Sequence, residues 1–186
     1  MRVTGGRSKG RLLASLKGLS IRPTSDKVRE AVFNILGQDN TGLKVLDLFA
    51  GTGSLGIEAL SRGALWALFI DNSHLAIKTI RKNLKLCGFE NSGFVLKRDL
   101  IKGLPLKHPL VKNGIDLVFM DPPYGKDLII PMLKKLSEAR ILASTSIVVA
   151  ESLIKDKLPN RLGNLHLLDT RIYGRSKIDM YTSEDV

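Results

Sequence analysis

Lys44-Val45-Leu46-Asp47-Leu48-Phe49, running into Ala50-Gly51-Thr52-Gly53-Ser54-Leu55-Gly56, is the stretch that decides the fold. The first six residues are mostly aliphatic and read as a buried strand. The glycines that follow suit a tight turn into a helix, where backbone passes close beneath a ligand. Gly51, Gly53 and Gly56 match G-x-G-x-x-G, and Asp71 lies twenty residues past Gly51. That pattern is shared with dinucleotide sites, so by itself it leaves the ligand open.

Working outward, short aliphatic runs at 44–49, 67–71, 93–97, 115–120 and 146–150 alternate with helical stretches at 54–62, 73–86, 126–137 and 152–157. Continuous apolar strands separated by helices predict a parallel sheet covered on both faces. Residues 164–173 and 176–182, joined at Gly174, predict two more strands at an antiparallel edge. The expected fold is therefore α/β and Rossmann-like, with a seven-stranded, mostly parallel sheet. Upstream, Val28, Ala31, Val32, Ile35 and Leu36 mark one face of a helix that Thr24 or Ser25 caps and Gly37 ends. Residues 2–4 and 11–16 predict a small β-hairpin around Gly5-Gly6-Arg7-Ser8-Lys9-Gly10. This divides the chain into a basic hairpin extension, 1–24, and a main domain, 25–186.

An acid stands at or near the end of each predicted strand: Asp47, Asp71, Asp99, Asp121 and Glu151. Each is about one β-α unit from the next. Open α/β sheets bind ligands beyond the carboxyl ends of their strands, so these acids should converge on one edge. Asp121 opens Asp121-Pro122-Pro123-Tyr124, which follows the apolar run Ile115–Met120. A carboxylate, two prolines and an aromatic ring there form a rigid, acceptor-rich pocket suited to a flat ring bearing an amine. Asp121 and the Pro122 carbonyl would each accept one N–H bond, and Tyr124 would stack on the ring. With a nucleoside cofactor on the glycine turn, the combination points to methyl transfer onto the amino group of a base. Asp47, inside the first strand, suits a charged amino group, and hydride transfer has no use for Asp-Pro-Pro-Tyr. Both features argue against a nicotinamide cofactor.

The 186 residues carry a formal net charge of +11. Arg2, Arg7, Lys9, Arg11, Lys17, Arg22, Lys27 and Arg29 stand against only Asp26 and Glu30 in residues 1–30. Clustered cations attract phosphate backbones, which makes Arg2, Arg7, Lys9, Arg11, Arg22 and Arg29 candidate RNA contacts. For Arg22, Thr24 and Arg29 an alternative stands beside this: Thr24 folded over the cofactor and Arg29 in a pair on the helix surface. The lone Cys87 excludes an internal disulfide. The scattered His74, His108 and His166 have no ligand partners at metal-site spacing. No run is long enough to cross a bilayer and the start lacks a secretory apolar core, so a cytoplasmic location is expected.

The glycine turn together with Asp-Pro-Pro-Tyr resembles the class I S-adenosylmethionine-dependent methyltransferases. That resemblance implies a methionine moiety held by Asp47 and the turn Phe49-Ala50-Gly51-Thr52-Gly53. It implies ribose hydroxyls on Asp71 beside Asn72, and adenine against Asp99 and Leu100. Arg2 through Arg11, Arg22 through Leu36, Val45 through Ala59, and Tyr173-Gly174 with Tyr181 resemble the RsmD family, bacterial small-subunit ribosomal RNA guanine-N2 methyltransferases. The resemblance spans the chain. It implies a monomer that modifies one guanine of 16S RNA in an assembling or assembled small subunit. Asp71 departs from the family, where glutamate is more usual.

Two rivals remain at this level. A DNA adenine-N6 methyltransferase uses a similar acidic pocket but needs a recognition insert, for which residues 100–114 are the largest candidate. A ribosome-assembly protein with a vestigial cofactor site would not need its acids intact.

Overall fold

β1 (Lys44–Leu48) is buried along its length and pairs in parallel with β2 (Trp66–Asp71) on one side and β4 (Ile115–Met120) on the other. The chain therefore reverses direction across the sheet at β1, which opens a crevice at its carboxyl end. β3 (Gly93–Lys97) lies outside β2, and β5 (Leu142–Leu153) lies outside β4, both parallel to their neighbours. β8 (Ser176–Ser183), β7 (Leu165–Tyr173) and β6 (Arg161–Leu162) continue the sheet antiparallel. The order is β3-β2-β1-β4-β5-β8-β7-β6. The computed structural model describes residues 1–16, 26–123, 125 and 127–184, without the side chains of Lys27 and Asn113.

Strand alternation sorts the core into two layers. Val45, Ala67, Phe69, Leu117 and Phe119 face α1 (Asp26–Leu36), α2 (Ser54–Ser61) and α3 (His74–Cys87). Leu46, Leu48, Leu68, Ile70, Val118 and Met120 face α4 (Ile129–Glu138) and the short turns between residues 100 and 113. Full burial of each such side chain contributes about 1.5–3 kcal/mol.

The sheet has eight strands where the sequence predicts seven. The added β6 is two residues long and pairs only with the start of β7. β5 begins earlier than the aliphatic run at 146 because the register with β4 slips between Ile115 and Leu117, around Thr145 at φ 63°. No helix forms at 152–157. Ser152 and Leu153 stay in the ladder opposite Lys177 and Ser176, and the chain then turns.

Residues 1–16 form a hairpin-like loop closed by the antiparallel bridge Arg2–Leu12. It lies on the helical layer, with Val3 and Leu13 in the core cluster of α1 and α2. Glu58, fully buried on α2, holds it there. The carboxylate accepts from Thr4 N and Thr4 Oγ1, both at 2.8 Å, from Arg29 Nε at 3.2 Å and from Arg62 Nε at 2.9 Å. Arg29 also pairs with Asp26 at 3.0 Å, and the Arg62 guanidinium lies 4.9 Å from the centre of the Phe33 ring. Arg29 is thus corrected: it is 0% exposed, between Glu58 and Asp26, and presents nothing to RNA or to the helix surface.

Removing one partner of such a buried network leaves its cations uncompensated, at about 3–5 kcal/mol. Glu58→Ala is expected to lower the thermal midpoint by roughly 10 °C. Thermal denaturation followed by circular dichroism measures it.

Candidate active site

Ladder register sets the height of each acid. Leu48 aligns with Ile70 and with Met120, and Met120 with Ala150. Asp71, Asp121 and Glu151, each one residue further along, therefore share one level at the sheet's carboxyl edge. Asp47 is one residue below Leu48, and Asp99 is two residues past Lys97, the partner of Asp71. Within their strands Asp47, Asp71 and Glu151 take the parity of Phe69 and Phe119, so they point to the α2–α3 layer. Glu151 lies inside the longer β5 and is 6% exposed, yet it keeps this level.

Asp47 is 2% exposed, and its Oδ2 accepts from Gly56 N at 3.0 Å. Burial pushes its carboxyl well above the usual carboxylate range; the Gly56 N–H opposes this, and the charges of Asp121 and Asp71 add to it. Two acids on neighbouring strands thus act electrostatically on a third that is out of water. Such a site is relieved by a cation.

The glycine turn is wound tightly around these acids. Phe49, Gly51 and Gly53 have φ of 59°, 54° and 77°, so a non-glycine residue is held left-handed at the head of the turn. Ala50 N bonds to Ile70 O at 3.0 Å and Gly53 N to Ala50 O at 2.7 Å. A side chain at Gly56 would overlap the Phe69 ring and come within 3.1 Å of Asp47 Oδ2. Asp71 Oδ2 accepts from Gly51 N at 2.9 Å and its Oδ1 from Ser73 N at 2.8 Å. A carboxylate has about four acceptor positions, so two remain for other donors. The shorter aspartate is thus tied to both the glycine turn and the start of α3. Asn72 beside it is exposed. Asp99 caps the turn Leu100–Lys102 through Ile101 N at 3.0 Å. Leu100 is 2% exposed and packs into the α4-side core, so its side chain offers little surface to a ring.

Thr52 is 8% exposed, and its carbonyl accepts from Asn83 Nδ2 at 2.9 Å. Asn83, fully buried on α3, also bonds Ala14 N at 2.7 Å and Ala14 O at 3.1 Å. It therefore couples the N-terminal loop to the glycine turn. Sequence reasoning missed Asn83 and Glu58. Their only sequence signal is a polar residue at a core position of an amphipathic helix.

Asp121, Pro122 and Pro123 directly follow β4. Pro122 and Pro123 line a cavity of about 290 Å³ with Leu128, Ile129, Asp156, Lys157 and Leu158. Tyr124, Thr24 and Arg22 lie outside the described residues. A larger open groove of about 720 Å³, lined by Arg7, Arg62 and Leu65, lies at the opposite edge of the sheet and holds none of the strand-end acids.

Arg2, Arg7, Lys9 and Arg11 are exposed. The Arg7 guanidinium lies 4.3 Å from the Phe89 ring centre, and Arg7 N bonds to Ser61 O at 2.8 Å. Ser8 Oγ bonds to Cys87 O at 3.2 Å. Ser61 and Cys87 end α2 and α3, so the tip of the N-terminal loop sits at the far end of the helical layer from the acids.

The family described as "Conserved hypothetical protein 95" matches residues 1–182. The protein YlbH of Bacillus subtilis (strain 168) is 38% identical over 183 residues, 97% of this chain and 98% of that protein. Ribosomal RNA small subunit methyltransferase D of Escherichia coli (strain K12) is 31% identical over 188 residues, covering 99% and 90%. The solved structure of yhhF from Escherichia coli superposes with a TM-score of 0.85 at 31% identity, over 99% of this chain and 98% of that one.

The raised pKa of Asp47 has a definite consequence for stability. The folded chain holds a proton that the unfolded chain has lost above its ordinary value of 3.8, so stability falls as pH rises from there through the folded value. Asp47→Asn is expected to flatten that fall in ligand-free protein while weakening cofactor binding at least about tenfold. Thermal midpoints across a pH series and calorimetry with S-adenosylmethionine measure the two effects.

Proposed function

The chain belongs to the family described as "Conserved hypothetical protein 95", the RsmD family, and we propose that it methylates the N2 amine of a guanine in small-subunit ribosomal RNA. It is an S-adenosylmethionine-dependent methyltransferase. The observation that carries the reading is the gathering of Asp71, Asp121 and Glu151 at one level of the sheet's carboxyl edge, above the buried Asp47, with Asp121 leading directly into Pro122 and Pro123.

The residues fit the cofactor. Asp47, enclosed and crowded by two other acids, gains most from a positive group placed over the glycine turn. The remaining acceptor positions of Asp71 suit vicinal hydroxyls, and Asp99 at the β3 edge suits an exocyclic amine. Bound S-adenosylmethionine supplies a methyl group on a positively charged sulfur. The chain's own residues prepare the nucleophile. A base amine is weak because its lone pair is delocalised into the ring. Asp121 and the Pro122 carbonyl would accept its two N–H bonds, orient the nitrogen and stabilise the positive charge that grows on it. The nitrogen sheds its proton after it is methylated, so Asp121 need not be a strong base. A base within folded RNA must leave its stack to reach this edge.

The relatives' names support ribosomal RNA as the substrate. Residues 100–113 form only short turns packed on the core by Leu100, Leu104 and Val111, which favours RNA over a DNA enzyme with a recognition insert. The reading extends to a monomer acting in the cytoplasm on an assembling or assembled subunit. Among the described residues, no helix is long and apolar enough to cross a membrane.

Asp121→Ala is expected to lower methyl transfer at least about 10²-fold while cofactor affinity stays within a few fold. Full activity in that variant would remove Asp121 from the mechanism. Mass spectrometry of 16S RNA fragments from a deletion strain identifies the nucleotide; unchanged guanine modification there would reject the substrate.

A further inference from the structure

Among the described residues, α3 differs from the other α-helices in the charge it turns outward. Its fourteen residues contain no acid, whereas α1, α2 and α4 each carry at least one carboxylate. Ala76, Ile77, Ile80, Asn83 and Leu84 face the core. Lys78, Arg81, Lys82 and Lys85 are all exposed, at i, i+3, i+4 and i+7. That spacing stacks four cations on one face, each beside a like charge, which weakens the helix. On α4, by contrast, Lys134 pairs with Glu138 at 3.9 Å. Among the described residues no ion pair involves any of the four α3 cations. Glu90, exposed just past the helix, is the nearest acid in sequence.

The stripe also runs between two places that matter. α3 begins at Ser73, whose N–H bonds Asp71 at the cofactor edge. His74 in its first turn meets Lys97 at the tip of β3, 2.5 Å apart. It ends at Cys87, whose carbonyl accepts from Ser8 in the basic loop that carries Arg7, Lys9 and Arg11. Fourteen residues span about 21 Å, and the four cations occupy roughly the middle 10 Å of that length, with Lys97 toward the acidic edge and the basic loop beyond Cys87. β4, which leads into Asp121, is three strands from β3, about 14 Å across the sheet. A nucleic acid that inserts one base at β4 has its flanking backbone within reach of this line.

We propose that the outer face of α3 is a phosphate-binding track that grips RNA backbone flanking the target nucleotide and joins the active edge to the basic N-terminal loop. It deepens the function proposed above and rests on RNA being the substrate. The track supplies affinity and orientation, with no part in the chemical step.

The test replaces Lys78, Arg81, Lys82 and Lys85 by Gln. A control variant of equal charge change replaces Lys107, Lys112, Lys134 and Arg140, which lie away from α3. Binding of a 16S RNA transcript is measured across a salt series. Single-stranded contacts contribute about 0.7 each to the slope of log affinity against log salt, so the α3 variant should lose roughly 2–3 of that slope. The KM for RNA should rise at least about tenfold, with kcat at saturating RNA and affinity for S-adenosylmethionine within twofold of the parent. The control should change much less. An unchanged slope, or an equal loss in the control, overturns the track and assigns the charge to solubility. So does stripe-dependent binding to anionic phospholipid vesicles without any effect on RNA. If the parent chain binds RNA through the stripe but methylates no guanine, the proposed reaction fails and the track stands.

Discussion

A parallel β-ladder admits only crossovers that return each strand to the same starting edge. Nearly every functional property of this chain follows from that constraint. Because β1 to β5 all run one way, Asp47, Asp71, Asp99, Asp121 and Glu151 come out at one edge although they are far apart in sequence. Because β1 lies between β2 and β4, the glycine turn and Asp121-Pro122-Pro123 become neighbours across a single strand spacing. The same constraint sends α2 and α3 back down the sheet, so each begins at the acidic edge and ends at the opposite one.

The edge is built against local stability. Asp47 is held out of water beside two like charges, and Phe49 takes a left-handed backbone that a side chain disfavours. Such features persist only where the surroundings over-determine them. Here the surroundings are explicit. Gly56 donates to Asp47, Asp71 holds both Gly51 and Ser73, and Asn83 clamps Thr52 from behind.

The N-terminal residues belong to the same assembly. Glu58 anchors them on α2 with hydrogen bonds to Thr4, while Asn83 joins Ala14 to the glycine turn. The basic loop is therefore fixed relative to the glycine turn, and its tip is held at the far end of the layer by Ser61 and Cys87. The exposed cations of α3 lie between the acidic edge and this basic tip. Net charge alone describes an affinity for polyanions; this placement gives it a direction.

The amino-acid order by itself determined the alternation of strands and helices, the acids at strand tips and the Asp-Pro-Pro signature. These depend on local periodicity, turn residues and spacing, which each stretch of chain carries on its own. It misjudged β5 and the segment after it, because Ser144, Thr145 and Ser146 interrupt the aliphatic run while a bulge keeps them in the sheet. It placed Arg29 on the surface, because a basic residue in a basic segment looks solvated until its partner is known. Only the tertiary structure decided that Glu58, on another helix, takes Arg29 into the core, and that Asn83 bridges two loops. Those facts depend on pairings between residues tens of positions apart, and no local pattern encodes which buried polar group will meet which.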